Sequence, residues 1–399
     1  MSVRFDKPFT QQEPIDEATI ARVGDILRTG RLHRYNTLPG ETSEAAALEA
    51  EYAAWQGVDY ALACASGGYA LAVALKAAGL EPGDTVLANA YTLAPVPGAI
   101  HNAGGVPLFV EIDEDWHIDI ADLEAKAEAS GAKFLMLSHM RGHIADMDAV
   151  GEICTRHGIT MIEDCAHTMG ARWKGIRSGN FAHVAAFSLQ TYKHINTGEG
   201  GLLTTNDPQI AARATVMSGS YMLYGSHGAG PDEAAYDGIR TATPNYSGRM
   251  DNLRAAIGRG QLVTLDDKVE RWNVLYRTLD RGLRKSNAIT IPVRREHEDY
   301  VGSSLQFRPA LDKEQFPDFI AACAQRGVDV KWFGADKPAA FTSRYDSWEY
   351  LGVPQNLPKT REVLSRTCDI RVPLTFDESD CATIAAIIVD ECNRATASA

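Results

Sequence analysis

Short apolar runs alternate with segments of helical periodicity between about residues 44 and 215. The runs short enough to be buried strands are DTVLANA, VPLFVEI, AKFLMLS and GITMIED. The segments between them end in glycine, which helix C-termini favour, and include APVPGAIHNAGG, ADLEAKAEASG and DMDAVGEICTRHG. This alternation predicts an α/β domain around a mostly parallel sheet, in which ligands bind beyond the carboxyl ends of the strands.

A long irregular segment separates this region from the rest of the chain. Residues 217–245 are rich in Gly, Ser and Tyr without a clean period, and a loop of this length is usually functional or disordered. Residues 250–285 predict a long helical stretch, which a second alternation of strands and helices follows. We therefore expect a large domain over residues 1–262 and a small α/β domain over residues 263–399.

Composition and charge narrow the class of protein. Hydrophobic residues make up 45% of the 399 residues, enough for a sizeable core, and the net charge of −13 argues against a nucleic-acid surface. The seven cysteines are scattered without a CxxC pair, so neither a disulfide framework nor a metal site is predicted. The first residues lack the apolar core of a signal peptide, and no stretch is apolar enough to span a bilayer. We expect a cytoplasmic protein with no membrane partner.

Three segments of the predicted large domain carry candidate chemistry. Gly67 and Gly68 precede a helix, where free backbone N–H groups favour a phosphate, although glycines there are more often turn residues. Asp164 ends a predicted strand, where a carboxylate also commonly caps the next helix. Lys193 follows Ser188 in FSLQTYKHINTGEGG, and an isolated lysine is usually a surface residue. None of these signals is specific alone.

Together they supply what is needed to hold pyridoxal phosphate. A glycine-rich segment can bind the phosphate, and a lysine can form a Schiff base with the aldehyde. A carboxylate beside the pyridine nitrogen keeps that nitrogen protonated, so that the ring can accept electrons. The combination predicts a pyridoxal-phosphate enzyme.

The chain resembles the DegT-type sugar aminotransferases, which are fold type I pyridoxal-phosphate enzymes, over nearly its whole length. The motifs that carry the resemblance are ASGGYALAVAL, GLEPGDTVLANAYT, GHIADMDAV, IEDCAHTMGA, FSLQTYKHINTGEGG and PNYSGRMDNLRAAIGRGQL. The resemblance implies a homodimer with shared active sites. It also implies a role for each matching residue: Lys193 as the Schiff-base lysine, Asp164 as the partner of the pyridinium nitrogen, Tyr91 stacked on the ring, His167 beside the ring hydroxyl, Gly67, Gly68 and Ser188 on the phosphate, and Asn245 on the phosphate of the other subunit.

The chain departs from the family pattern at two positions. Gly68 replaces a usual threonine, so backbone donors must hold more of the phosphate. Arg141 replaces a common aromatic residue, and its place after a predicted strand suggests a clamp for a substrate carboxylate at the mouth of the site. The alternative is that Arg141 only pairs with Asp146 or Asp148 in the same loop.

The predicted function is transfer of an amino group from an amino acid, glutamate or glutamine, to a keto-sugar, keto-cyclitol or related oxo acceptor by a ping-pong mechanism. One alternative is a pyridoxal-phosphate deoxysugar dehydratase, in which relatives carry histidine in place of the lysine, so Lys193 argues against it. The other is a non-catalytic regulator that binds the cofactor, but the sequence has no basic helix-turn-helix segment.

Overall fold

A computed structural model describes residues 3–397 of the protein. Residues 1, 2, 398 and 399, which belong to the predicted domains, lie outside the described residues. The helices are α1 (Glu17–Thr29), α2 (Glu44–Gln56), α3 (Gly67–Ala77), α4 (Pro95–Ala103), α5 (Ile120–Ser130), α6 (Met147–His157), α7 (Pro208–Ser218), α8 (Asn252–Leu262), α9 (Leu265–Leu283), α10 (Phe316–Gln325), α11 (Pro358–Ser365) and α12 (Glu378–Ala397). The strands are β1 (Tyr60–Cys64), β2 (Thr85–Asn89), β3 (Val106–Val110), β4 (Phe134–Ser138), β5 (Thr160–Asp164), β6 (Arg172–Trp173), β7 (Ile176–Arg177), β8 (Val184–Ser188), β9 (Gly201–Thr205), β10 (Ile289–Thr290), β11 (Glu298–Asp299), β12 (Ser304–Pro309), β13 (Lys331–Trp332) and β14 (Cys368–Arg371).

A seven-stranded sheet forms the centre of the large unit, in the order β1-β9-β8-β5-β4-β2-β3. Four neighbouring pairs, from β3 through β2, β4 and β5 to β8, are parallel, whereas β9 runs antiparallel to both β1 and β8. The sheet is therefore mostly parallel, as the alternation predicts. Parallel pairing brings the carboxyl ends of β4, β5 and β8 to the same edge, where Ser138 lies opposite Asp164 and Ser188 ends the third strand.

The predicted helices of the large unit begin and end where their capping residues require. Asp119 and Asp146 accept hydrogen bonds from backbone N–H groups in the first turns of α5 and α6. Gly131 and Gly158 end the same helices in the left-handed conformation. These caps fix the directions in which the chain enters and leaves the sheet.

The helical stretch predicted over residues 250–285 is two helices rather than one. α8 ends at Leu262 and α9 begins at Leu265, both of which are buried, while Val263 between them is 85% exposed. A four-stranded sheet in the order β10-β12-β14-β13 follows, and α9 packs against α12 beside it. The strand β13 has only two residues.

The N-terminal residues Phe5 and Phe9, which the sequence assigns to the large domain, pack against the C-terminal unit. Phe5 and Phe9 contact Phe376 edge to face, with ring centroids 5.0 Å from it. Conversely, Tyr345 and Trp348, which follow in the C-terminal part of the sequence, pack against Phe109 of the large unit. The two units therefore exchange segments, because apolar side chains at each end of the chain find their buried partners in the other half.

No helix within residues 3–397 combines the length and the apolar character needed to cross a bilayer.

A buried ion pair joins α2 to Arg34 in the loop that precedes it, and His227 of the long irregular segment contacts this pair. Arg34 donates to both carboxylate oxygens of Glu49, at 2.6 and 2.7 Å, and both side chains are almost fully buried. The backbone N–H of Ala63 also donates to Glu49, and His227 Nε2 lies 3.2 Å from it. Burial would raise the pKa of Glu49, but Arg34 and His227 outweigh it and lower that pKa to about 2. The pair therefore anchors His227, and with it the long segment.

We expect Arg34→Met to destabilise the protein by about 3–5 kcal/mol, because it leaves a buried carboxylate without its main partner. The measurement is the unfolding free energy from urea denaturation. The double variant Arg34→Met/Glu49→Met should lose less unfolding free energy than Arg34→Met alone, because neither charge of the pair then remains buried. The matched control is Arg28→Met, which removes a highly exposed pair with Asp25 and should cost no more than about 1 kcal/mol. Equal effects of Arg34→Met and Arg28→Met would contradict the importance of the buried pair.

Candidate active site

Lys193 lies in the turn after β8, partly buried, with its Nζ atom 2.9 Å from Nε2 of His167. Burial and the charge of Arg141 lower the pKa of Lys193 to about 7, with a further contribution from Arg371 and against the opposing charge of Asp164. Burial and the charge of Lys193 also hold the pKa of His167 well below its usual value. The site therefore contains an amine that is partly neutral near pH 7, next to a neutral imidazole.

Asp164 is held at the end of β5 by donors from two other segments. Its Oδ2 accepts a hydrogen bond from the hydroxyl of Ser138 at 2.7 Å, and its Oδ1 accepts from the backbone N–H of Ala166 at 3.2 Å. Ser138 is itself bound to Asn89, whose side chain accepts from the N–H of Ser138 and donates to its carbonyl. The carboxylate is thus oriented at the sheet edge and lines the same cavity as Lys193.

The first turn of α3 and the end of β8 form the phosphate-sized part of this cavity. Gly67, Gly68 and Ser188 all line it, as the sequence predicts. A Cβ atom on Gly67 would come within 2.9 Å of the Cβ of Ser188, so only glycine allows this approach. A Cβ atom on Gly201 would lie 2.4 Å from the backbone of Ser66, which explains the glycine pair that closes the lysine motif. The first turn of α3 therefore lies against the end of β8 at the cavity, where its backbone N–H groups are potential donors to a phosphate.

Tyr91 is not among the residues that line the cavity, and the ring-stacking role that the resemblance implies for it stays a prediction. Its ring packs edge to face against Phe333, with centroids 5.3 Å apart, and is 1% exposed. The side chain of Asn89 donates to the backbone carbonyl of Tyr91, so the chain bends after β2 and turns this ring into the core. Leu93 and Pro95 supply the apolar wall of the cavity instead.

Arg141 is buried and pairs with a residue of the C-terminal unit, and its role as a clamp for a substrate carboxylate stays a prediction. Its Nη2 lies 3.0 Å from Oδ2 of Asp369, and its backbone adopts a positive φ of 57°. Such a conformation costs about 1 kcal/mol or more for a residue other than glycine and persists only where packing enforces it. Neither alternative partner is correct, because Asp148 pairs with Lys174 and Asp146 caps α6.

Three further residues lie apart from the cavity. Glu163 accepts hydrogen bonds from three backbone N–H groups in residues 179–182 and contacts His139, so it organises a loop. The Nε2 atom of His194 lies 3.1 Å from the hydroxyl of Ser303, in the C-terminal unit. Asn245 is exposed and is not among the residues that line this chain's cavity, so its contact with a partner subunit stays a prediction.

Sequence reasoning missed Ser138, Asn89, Asp369 and Arg371. The first two could have been found, because each ends a predicted strand at the edge where Asp164 lies. Asp369 and Arg371 lie two residues apart on the same face of β14, but nothing in the sequence places that strand beside the lysine motif. Contacts between the two units alone bring it there.

The chain belongs to the DegT/DnrJ/EryC1/StrS aminotransferase family, whose model matches residues 13–389. Its fold is that of the fold type I aminotransferases. The crystal structure of 3-amino-5-hydroxybenzoic acid synthase superposes with a TM-score of 0.83 and 25% identity, covering 99% of this chain and 100% of that one.

Two curated relatives illustrate the range of the family. The dTDP-3-amino-3,4,6-trideoxy-alpha-D-glucose transaminase of Streptomyces venezuelae is 33% identical over 319 residues, which is 80% of this chain and 78% of the relative. The GDP-perosamine synthase of Caulobacter vibrioides is 36% identical over 221 residues, covering 55% of this chain and 56% of the relative. The chain thus spans only about half the length of several curated relatives that it matches.

We expect Lys193 of the cofactor-free protein to react with an amine-labelling reagent with a pH midpoint near 7, because only the neutral amine is nucleophilic. The measurement is the labelling rate of each lysine by mass spectrometry across pH 5–10. Lys174 is the control: its hydrogen bond to Asp148 raises its pKa, so it should label slowly below pH 10. A midpoint for Lys193 as high as that of Lys174 would show that burial and the arginines do not depress its pKa.

Proposed function

We propose that this protein is a pyridoxal-phosphate-dependent aminotransferase that moves an amino group from an amino acid to a keto-sugar, keto-cyclitol or related oxo acceptor. The observation that carries the proposal is that Lys193 and the carboxylate of Asp164 line one cavity together with Gly67, Gly68 and Ser188, and the lowered pKa of Lys193 supports it. An amine that is neutral near pH 7 can both attack a carbonyl and accept a proton. Family membership supports the same conclusion.

The residues present fit pyridoxal phosphate. Gly67, Gly68 and Ser188 line the cavity at the start of α3, where backbone N–H groups could bind a phosphate. Asp164, fixed by Ser138 and Ala166, would pair with the ring nitrogen. Lys193 would hold the aldehyde carbon, and His167 would lie beside the ring hydroxyl. The cavity wall beside the ring would include the apolar side chain of Leu93.

When bound, the cofactor supplies an electron sink for the carbon that loses a proton. The residues of the chain would hold the cofactor, move the proton and position the lysine. Asp164 would keep the ring nitrogen protonated through a charge-assisted hydrogen bond. Lys193, once displaced by the substrate amine, would carry the proton between the substrate carbon and the cofactor carbon. The neutral His167 would hold the Lys193 amine in place through the 2.9 Å contact.

The two substrates would bind in turn, as ping-pong kinetics requires. For the donor we propose glutamate or glutamine. For the acceptor, relatives named as a dTDP-sugar transaminase and a GDP-perosamine synthase favour a sugar, while the structural relative named for an aminobenzoic acid shows that carboxylate-bearing products also occur with this fold. The retained lysine supports aminotransfer over the dehydratase and regulator alternatives.

We further propose a homodimer in which Asn245 reaches the phosphate of the partner's site. Asn245 is exposed, and its Oδ1 accepts a hydrogen bond from the backbone N–H of Ser247, so its segment is shaped without filling a site in its own chain. Tyr221 and Met222, more than half exposed, would be covered by such an interface. A cytoplasmic location is proposed as well, because all seven cysteines are buried free thiols.

Parental protein loaded with pyridoxal phosphate and reduced with borohydride should carry the adduct on Lys193, as mass spectrometry of peptides would show. Lys193→Ala should give no adduct, and Lys174→Ala should behave as the parent.

Asp164→Asn should bind the cofactor but react with the amino donor roughly 10- to 100-fold more slowly, because it loses a charge-assisted hydrogen bond worth about 1.5–3 kcal/mol. An adduct on another lysine, or a donor half-reaction of normal rate in Asp164→Asn, would overturn these assignments.

Mixed dimers test the shared site. Lys193→Ala and Asn245→Asp chains, each inactive alone, should recover about a quarter of the parental activity, because half of the dimers are hybrids with one intact site of two. The control mixes Lys193→Ala with Asp164→Asn, whose lesions lie in the same chain's site, and should recover nothing. Absence of recovery in the first mixture, with hybrids shown to form, would exclude sharing through Asn245.

A further inference from the structure

The turn that follows β4 is held by the C-terminal part of the chain through both a side chain and the backbone. Residues 140–143, here called the Arg141 turn, contain two positive φ angles, 57° at Arg141 and 84° at Gly142. The guanidinium of Arg141 pairs with Asp369 at 3.0 Å. The backbone carbonyl of Gly142 accepts a hydrogen bond from Nη1 of Arg294 at 2.9 Å. The strained part of the turn therefore lies between two contacts.

Arg294 lies between β10 and β11 and is itself fixed by three side chains. Its Nη1 also donates to Oε1 of Glu298 at 2.8 Å, and the side chain of Glu298 is buried. Its Nε donates to the hydroxyl of Tyr276 at 3.3 Å, and its guanidinium lies over the rings of Tyr276 and Tyr300. One nitrogen atom thus links a buried carboxylate to the carbonyl of Gly142, in a guanidinium whose position the aromatic rings maintain.

Gly142 packs closely against the backbone of both units. A Cβ atom on Gly142 would lie 3.3 Å from the carbonyl oxygen of Val301 and 3.4 Å from that of His167. His167 is the residue whose imidazole lies 2.9 Å from the Nζ atom of Lys193. The Arg141 turn therefore lies between the C-terminal unit and the residue that contacts the reacting amine.

The conformation of Arg141 needs support from its surroundings. A residue other than glycine persists at a φ of 57° only where its contacts enforce it. Asp369 holds the guanidinium of Arg141, and Arg294 holds the next peptide group along the chain. Burial and then the charge of Arg141 lower the pKa of Lys193, to which Arg371 adds and which Asp164 opposes. The place of the Arg141 charge therefore affects the amine.

We propose that Arg294 is a positioning residue for Lys193: through the carbonyl of Gly142 it holds Arg141 in the conformation that keeps the positive charge of Arg141 close to the amine. Arg294 is not among the residues that line the cavity, so it acts through the Arg141 turn. The inference rests on the proposed function only in taking Lys193 as the reacting amine. It adds a residue outside the cavity that sets the reactivity of that amine.

The test measures the pH midpoint for labelling of Lys193 in the cofactor-free protein. Arg294→Met should raise this midpoint by about 0.5–1 pH unit, because the turn relaxes and withdraws part of the Arg141 charge. Arg141→Leu removes that charge and should raise the midpoint at least as far. The matched control is Arg295→Met, which changes the neighbouring residue, 3.6 Å from Asp113, and should leave the midpoint unchanged.

A double variant tests whether Arg294 acts through Arg141. Adding Arg294→Met to Arg141→Leu should leave the midpoint where Arg141→Leu alone puts it, because no charge then remains to be positioned. A further rise as large as that in Arg294→Met alone would overturn the inference, since Arg294 would then act independently of Arg141. An unchanged midpoint in Arg294→Met would also overturn it, whatever the loss of unfolding free energy, and would leave Arg294 as a structural contact.

Arg294→Met leaves the carboxylate of Glu298 buried without this partner, so a second variant covers the case in which the first does not fold. Arg294→Met/Glu298→Gln removes both charges and should show the same raised midpoint for Lys193. A parental midpoint in this double variant would reject the positioning role.

The same measurements separate this role from the proposed function. The midpoints are taken without cofactor, so they do not depend on transamination. A parental protein that does not take up pyridoxal phosphate, or does not react with any amino donor, would reject the aminotransferase proposal and leave the role of Arg294 in place. A parental protein that transaminates, together with an unshifted Lys193 midpoint in Arg294→Met, would reject the role of Arg294 alone.

Discussion

The hydrogen bonds of Ser138 are the constraint on which the site depends. This residue ends β4 and exchanges two hydrogen bonds with the side chain of Asn89 at the end of β2. Its hydroxyl donates to Asp164 at the end of β5, so one side chain links three neighbouring strands at their carboxyl ends. Parallel pairing puts these ends at one edge, and the buried hydrogen bonds fix their side chains within it. Because its orientation is fixed, the carboxylate of Asp164 can bind a ligand atom at one defined position.

Charge balance is the second principle of the site. Two positive and two negative groups lie around Lys193: the charges of Arg141 and Arg371 lower the pKa of its amine, Asp164 opposes them, and Asp369 pairs with Arg141. Burial adds to the effect of the arginines by penalising the charged form of the amine. Burial and the two arginines together therefore make Lys193 a nucleophile near pH 7.

The C-terminal unit contributes more to this arrangement than its size suggests. β14 carries Asp369 and Arg371 into the site, and β12 carries Gln306, which holds Asp369. The N-terminal residues Phe5 and Phe9 pack against Phe376 of the same unit. Relative movement of the two units would change the distance between Arg371 and Lys193, so their packing sets the electrostatics of the amine.

The sequence by itself determined the mostly parallel sheet, the helix ends and the proximity of Lys193 to Asp164. These follow from local rules, because apolar periodicity and capping residues act within a few positions and parallel strands must share their carboxyl edge. Only the tertiary structure decided the partner of Arg141, the packing of Tyr91 against Phe333 and the stacking of Arg371 on Tyr192. Each of these depends on contacts between distant segments: Asn89 bending the chain at Tyr91, and β14 meeting the turn after β4. Local patterns carry no information on which distant side chains meet, and that choice is made by the packing of the two units.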